Sequence, residues 1–92
     1  MDGLAVLSIF FDKASKDGRI SIAHIGLYAT LVRIWAGRGF ETPLILFSQM
    51  VMPLAKISSS ATYHKLIRDL NAYGYLRYQP SYYKGRGSRI YL

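Results

Sequence analysis

The chain has 92 residues, a net charge of +7 and no cysteine, and 51% of its residues are hydrophobic. This length suits one small globular domain, residues 1–92, and excludes two. The lack of cysteine excludes disulfides, thiolate nucleophiles and cysteine-ligated zinc. Residues 4–11 lack the basic start and the cleavage site of a signal peptide, and residues 21–37 are too short and too interrupted to span a bilayer. We therefore expect a cytoplasmic protein that does not contact membranes.

Residues 1–40 predict a helical scaffold. The first predicted helix covers residues 4–14, and its apolar residues at helical spacing are Leu4, Leu7, Phe11 and Ala14. Ser21 is placed to cap a second helix, which should run to about Ala36 before Gly37. Because this helix is apolar on most sides, it is either the central core helix or, together with the first helix, part of a dimer interface.

Residues 41–57 predict a short strand followed by a short helix. Pro43 restricts the strand at residues 42–47 to an edge position or to a strand start. Ser48 is the expected cap of a helix over residues 49–57, in which Pro53 predicts a kink or a later start. The side chains expected to point inward are Met50, Val51, Leu54 and Ile57.

The clearest helix follows three serines and ends at Tyr73, with Gly74 in the left-handed capping position. Its outer face is basic and rich in hydroxyl groups, and its expected inward residues are Tyr63, Leu66, Ile67, Leu70 and Tyr73. Residues 75–79 and 88–92 alternate in polarity, with Leu76, Tyr78, Ile90 and Leu92 inward, and residues 80–87 join them as a hairpin. The predicted fold class is mainly α with a small β-hairpin (α+β).

The positive charge is concentrated in the second half of the chain. Five basic and four acidic residues give residues 1–46 a net charge of +1, whereas seven basic residues and one acid give residues 47–92 a net charge of +6. A one-sided basic surface favours a polyanionic partner, since neutralising phosphates releases counterions. The alternative is that the charge serves solubility alone.

The sequence predicts neither an enzyme nor a metal or cofactor site. Its five acidic residues are scattered, and no two share a helix face or strand as a general acid and base. His24 and His64 fall on different helices without a carboxylate at ligand spacing, so each is predicted to be a polar or partly buried helix residue. Gly85, Arg86 and Gly87 lack the third glycine of a dinucleotide-binding motif. No polar cluster marks a site for a small-molecule effector.

After the short strand, residues 41–92 are predicted to follow the order helix, helix, strand, strand, which is that of a winged helix-turn-helix; residues 1–40 are then an extra N-terminal helical segment. Residues 44–92 also resemble the winged helix-turn-helix family of bacterial DNA-binding proteins. The matching residues are Ser59, Thr62, Tyr63, His64, Lys65, Leu66, Ile67, Leu70, Gly74, Tyr75 and Leu76. More narrowly, the pattern is similar to small winged-helix proteins of bacterial mobile elements and phage replication modules. Pro53 and a turn without glycine at Ile57 and Ser58 depart from the family pattern.

This resemblance implies sequence-specific binding of double-stranded DNA, by a homodimer that regulates transcription. The matching positions at the start of the recognition helix are Ser59, Ser60 and Thr62. The outward positions are His64, Lys65 and Arg68, and the wing positions are Lys84, Arg86 and Arg89. The family uses such positions for contacts to phosphates, base edges and the minor groove.

Three alternatives stay open. The domain could be a protein-interaction or replication-accessory module of a mobile element that binds DNA weakly and without specificity. It could be a fragment of a longer protein, because residue 92 falls within a predicted strand. Tyr82 and Tyr83, which lie among basic residues, could stack on unpaired bases, and this would favour single-stranded nucleic acid.

Overall fold

In residues 2–83 and 85–92, which the computed structural model describes, the chain forms four helices and a three-stranded antiparallel sheet. The α+β class is therefore confirmed. The elements are α1 Gly3–Ala14, α2 Ile22–Gly37, β1 Leu44–Leu46, α3 Ser48–Leu54, α4 Ser60–Ala72, β2 Arg77–Gln79 and β3 Ser88–Tyr91. None of the described helices is both long enough and apolar enough to cross a membrane.

Asp2 is the N-cap of helix α1, and its Oδ1 accepts a hydrogen bond from the Leu4 amide at 2.9 Å. The helix packs on α2 through Phe10, whose ring stacks on Tyr28 with centroids 4.1 Å apart. The apolar stripe predicted for α1 is only partly buried, because Leu4 and Phe11 are 71% and 46% exposed. Adjacent helix residues point about 100° apart, so only one of Phe10 and Phe11 can face α2. Phe10 takes this position, where its ring stacks on Tyr28.

Helix α2 is the central core helix. The predicted cap is confirmed: the Ser21 side chain accepts the His24 amide, and the His24 side chain accepts the Ser21 amide in return. The buried residues of this helix are His24, Leu27, Tyr28, Leu31, Val32 and Trp35. Most of its apolar surface is thus covered within one chain, although Ile22 remains 87% exposed at its first turn.

Helix α3 is shorter than its sequence predicts. Phe47 occupies the N-cap position without a side-chain hydrogen bond, so Ser48 is the first helical residue and not the cap. Val51 is fully buried, but the predicted burial of Leu54 is wrong, because its side chain is 59% exposed. The same holds for Met50, which is 39% exposed. A helix of two turns presents only one face to the core, and the chain leaves the helical path at Lys56, whose φ is 61°.

Helix α4 forms as predicted. The side chain of Ser59 caps it, and Gly74 follows it with a φ of 84°. Its buried residues are Tyr63, Leu66, Ile67 and Leu70. The positive φ of Gly74 changes the direction of the chain toward β2. Tyr75 and Leu76, which connect Gly74 to β2, are buried.

The sheet has the order β1-β3-β2, so the strand that comes last in the sequence lies in the middle. The predicted hairpin of β2 and β3 is confirmed, and β1 takes the edge position that Pro43 indicated. Ile90 of β3 pairs with Leu44 and with Tyr78, and this row faces the core. Arg89, the neighbour of Ile90, therefore faces away from the core.

Candidate nucleic-acid interface

The first turn of α4 presents small polar residues to solvent. The Ser59 hydroxyl accepts the Thr62 amide at 3.3 Å, so this side chain serves as the helix cap. Ser60 and Thr62 are exposed. The N-terminal part of a recognition helix is the part that comes closest to base edges in the major groove. This turn has no bulky side chain in the way of such an approach.

His64 lies one turn further along α4 in a defined tautomer. Its Nδ1 is 2.8 Å from the carbonyl oxygen of Ser60, and because a carbonyl only accepts, Nδ1 carries the proton in the neutral ring. The ring Nε2 is then a hydrogen-bond acceptor. An acceptor is complementary to the exocyclic amino groups that adenine and cytosine present in the major groove.

A groove of about 280 Å³ separates α4 from the hairpin loop, residues 80–87. We call it the inner groove. His64 and Arg68 line its α4 side, and Arg86 lines its loop side. Ser48 and Gln49 at the start of α3 complete its wall, although the sequence had not indicated them. No acidic residue lines this groove, and within the described residues neither arginine takes part in an ion pair.

Lys65 points away from the inner groove, toward α2. Its Nζ donates to Oδ2 of Asp69 at 3.0 Å, and Nε2 of His24 lies 2.9 Å from the same oxygen. The hydrogen bond from His24, and then that from Lys65, lowers the pKa of the Asp69 carboxyl. The hydrogen bond between Lys65 and Asp69 raises the pKa of Lys65 in turn. The only acid of the second half of the chain is therefore engaged by two partners.

The remaining predicted site residues lie in other places. Ser59 and Thr62 line a shallow depression of about 260 Å³ against the first turn of α2. Arg89 lies on the outer face of the sheet, in one row with Ile45 and Gln79. Lys84 falls outside the described residues. The structure thus brings His64, Arg68 and Arg86 together, but not all nine residues.

A second groove, of about 650 Å³, runs along the outer face of the sheet and the hairpin loop. We call it the outer groove. Its side chains include Ile45, Phe47, Tyr82, Tyr83, Arg86 and Arg89. Tyr82 is 90% exposed and Tyr83 is 71% exposed, so neither ring packs into the core. The sequence left their role open, and strand register could have placed Arg89 here, because a residue next to an inward Ile90 must face outward.

Lys13 and Arg19, two of the five basic residues of the first half, have structural partners near the end of α4. Lys13 Nζ donates to the carbonyl oxygen of Gly74 at 3.1 Å, beyond the C-terminus of α4. Arg19 forms an ion pair with Asp17 and lies over the Tyr73 ring at 4.1 Å. Tyr75 also donates its hydroxyl to Asp17 at 2.9 Å. These contacts hold the segment that follows α4 in place. They involve none of the arginines that line the two grooves.

Comparison of the chain with protein-family models, with curated proteins and with solved structures found no match in any of the three.

Proposed function

We propose that the chain is a winged-helix protein that binds duplex DNA through α4 and the hairpin of β2 and β3, without catalytic activity. The order of α3, α4, β2 and β3 supports this proposal, because it is the order expected of a winged helix-turn-helix. In that arrangement α4 is the recognition helix and the hairpin loop is the wing. Regulation of transcription is the role that follows, with a homodimer as the binding form.

The observation that carries the proposal is the inner groove. It places Arg68 and His64 of α4 opposite Arg86 of the hairpin loop, with no acid between them. An α-helix with its side chains is about 10–12 Å across and fits the major groove, which is about 12 Å wide. With α4 in that groove, Arg86 would reach the neighbouring backbone or minor groove, as wing residues do.

Salt dependence of binding gives the first test. Fluorescence anisotropy of a labelled random-sequence duplex should give a slope of log affinity against log salt of about −5 if roughly six phosphates are neutralised. Arg68→Ala and Arg86→Ala should each reduce the magnitude of this slope by about 1 and weaken all duplexes alike. Arg33→Ala is the matched control, because Arg33 is an exposed arginine of α2 that lines neither basic groove. A slope near zero would contradict duplex binding.

Sequence preference gives the second test. Selection of bound sequences from random duplexes, with the solution mass of the complex measured alongside, should yield one enriched motif. A palindromic motif would support both the homodimer and a regulatory role, because the symmetry of the site mirrors that of the protein. His64→Ala and Thr62→Ala should change the preferred bases, whereas Arg86→Ala should leave them unchanged.

The second candidate function is a protein-interaction or replication-accessory module. The observation that favours it is the exposure of apolar side chains on both flanks of α1: Leu4 and Phe11 on one flank are 71% and 46% exposed, and Ile9 on the other is 71% exposed. Exposed large apolar side chains can belong to interaction surfaces. This candidate predicts a flat salt titration with duplex DNA and self-association or partner binding that Ile9→Lys abolishes.

A further inference from the structure

The outer groove has a different chemistry from the inner groove. One wall is the outer row of the sheet, where Arg89 of β3 is paired with Ile45 and with Gln79. The other wall is the hairpin loop, which supplies Tyr82, Tyr83 and Arg86. The volume of about 650 Å³ is within the roughly 300–1,000 Å³ of small-molecule sites, so flat ring systems have room to enter.

The aromatic rings of this groove are held in solvent. Tyr82 and Tyr83 are the most exposed aromatic residues in the described part of the chain, at 90% and 71%, and Phe47 is 46% exposed. The loop therefore presents these rings outward, whereas Tyr78 of β2 packs against the core. Exposed rings of this kind have their faces available for stacking.

The charge of the groove selects the class of ligand. Arg86 and Arg89 line it, Arg77 lies on the same face over the Tyr91 ring at 4.3 Å, and no acidic residue lines it. Arg86 also lies 5.4 Å from the Tyr83 ring centroid. A ligand that complements this groove carries both flat aromatic rings and repeated negative charges.

We propose that the outer groove binds single-stranded nucleic acid. Bases stack on the rings of Tyr82 and Tyr83 with Phe47 beneath them, and phosphates lie against Arg86 and Arg89. Base stacking on aromatic side chains with arginines along the backbone is how sequence-tolerant single-strand binding is achieved. Paired bases offer no free faces inside a duplex, so this surface discriminates for unpaired strands. The inference does not depend on duplex binding by α4.

The two grooves share part of their lining, but each also has residues of its own, so mutations can affect one groove at a time. Tyr82 and Arg86 line both grooves, whereas Tyr83 and Arg89 line only the outer groove and Arg68 lines only the inner groove. Substitutions at Tyr83 and Arg68 therefore report on one groove each.

The test uses the whole chain and a fluorescently labelled oligothymidylate of fifteen nucleotides, with a random duplex measured in parallel. Tyr83→Ala should weaken binding of the oligothymidylate about fivefold or more, since each stacked base contributes about 1–3 kcal/mol. Tyr83→Phe should retain that binding, because the stacking face is kept. Arg68→Ala should leave it unchanged while weakening the duplex.

A second measurement locates the contact. An oligothymidylate that carries 5-iodouracil should form photo-crosslinks to residues 80–83, identified by mass spectrometry of the digested complex. Equal affinity of the parent chain and Tyr83→Ala for the oligothymidylate would overturn the proposal, as would crosslinks confined to α4. Loss of self-association in Tyr83→Ala, with no oligothymidylate binding by the parent chain, would also overturn it and would identify the outer groove as a protein interface.

Discussion

His24 of α2 donates a hydrogen bond from Nε2 to Oδ2 of Asp69 on α4, across a distance of 2.9 Å. The direction is fixed, because Nδ1 of His24 accepts the Ser21 amide at 2.9 Å and therefore carries no proton in the neutral ring. This contact joins the scaffold helix to the proposed recognition helix. It also holds Lys65, through the shared Asp69 oxygen, on the side of α4 that faces α2.

Removal of this carboxylate should affect stability and DNA affinity in opposite directions. Asp69→Ala leaves the His24 donor without its partner, and we expect the free energy of unfolding to fall by about 1–3 kcal/mol. Duplex affinity should rise, because one negative charge near α4 is lost and Lys65 is released. Urea unfolding and fluorescence anisotropy measure the two effects. Asp12→Ala removes the same charge from an exposed position of α1 and should change stability by less than about 0.5 kcal/mol.

Acid should weaken the fold through Asp17. Hydrogen bonds from Arg19, and then one from the Tyr75 hydroxyl, hold the pKa of Asp17 well below its ordinary value of 3.8. Since the folded pKa is lower than the unfolded one, the stabilisation is complete above 3.8 and is lost as the pH falls through the folded value. Asp17→Asn should therefore be less stable than the parent chain at pH 7, and the difference should narrow below pH 4. Urea titrations that give a constant difference at all pH values would contradict this.

Core substitutions should separate buried from exposed leucines. Leu31 of α2 is fully buried, and Leu31→Ala should lower the free energy of unfolding by about 2–5 kcal/mol because a cavity is left. Leu54 of α3 is 59% exposed, and Leu54→Ala should cost less than about 0.5 kcal/mol. Thermal and urea unfolding measure both. A large effect at Leu54 would show that a partner chain covers this side chain in solution.

Two glycines should respond in opposite ways to alanine. A Cβ at Gly87 would lie 2.8 Å from Cγ2 of Ile45 and 2.9 Å from the carbonyl oxygen of Leu46, so Gly87→Ala should push β1 away and destabilise the chain by about 1–3 kcal/mol. A Cβ at Gly26, within α2, meets no atom within 4 Å. Gly26→Ala should stabilise the chain by about 0.5–1 kcal/mol through helix propensity. Melting temperatures of the two variants compare these effects directly.

Local signals account for the parts of the fold that the sequence could predict. Ser21 and Ser59 begin α2 and α4, and Gly74 ends the second of these helices, because capping depends on a few neighbouring residues. The buried face of α1 could not be predicted. The choice between Phe10 and Phe11 depends on the position of Tyr28, which only the tertiary structure sets.

The sequence likewise indicated some residues and contacts of the candidate site and not others. The family resemblance singled out Arg68 and Arg86, which line one groove, and grouped Arg89 with them, whereas the alternation of side chains along β3 places Arg89 on the outer face of the sheet. The pairing of Lys65 with Asp69 was available from their spacing of four residues on a helix. The contact of His24 with Asp69 was not available, because it joins residues 45 positions apart.

The central position of β3 has a consequence for how the chain is made. Strands β1 and β2 do not pair with each other, so both can pair only after β3 is present. Leu44 of β1 pairs with Ile90 of β3, which lies 46 positions later in the sequence. Pairings between residues so distant in sequence form slowly. A chain cut before Ser88 would leave β1 and β2 without their pairing partner, expose the apolar strand β1, and lose the row of contacts that closes the core. We therefore expect nascent or truncated chains to be the aggregation-prone and protease-sensitive species, and the sheet to assemble only once β3 has been synthesised.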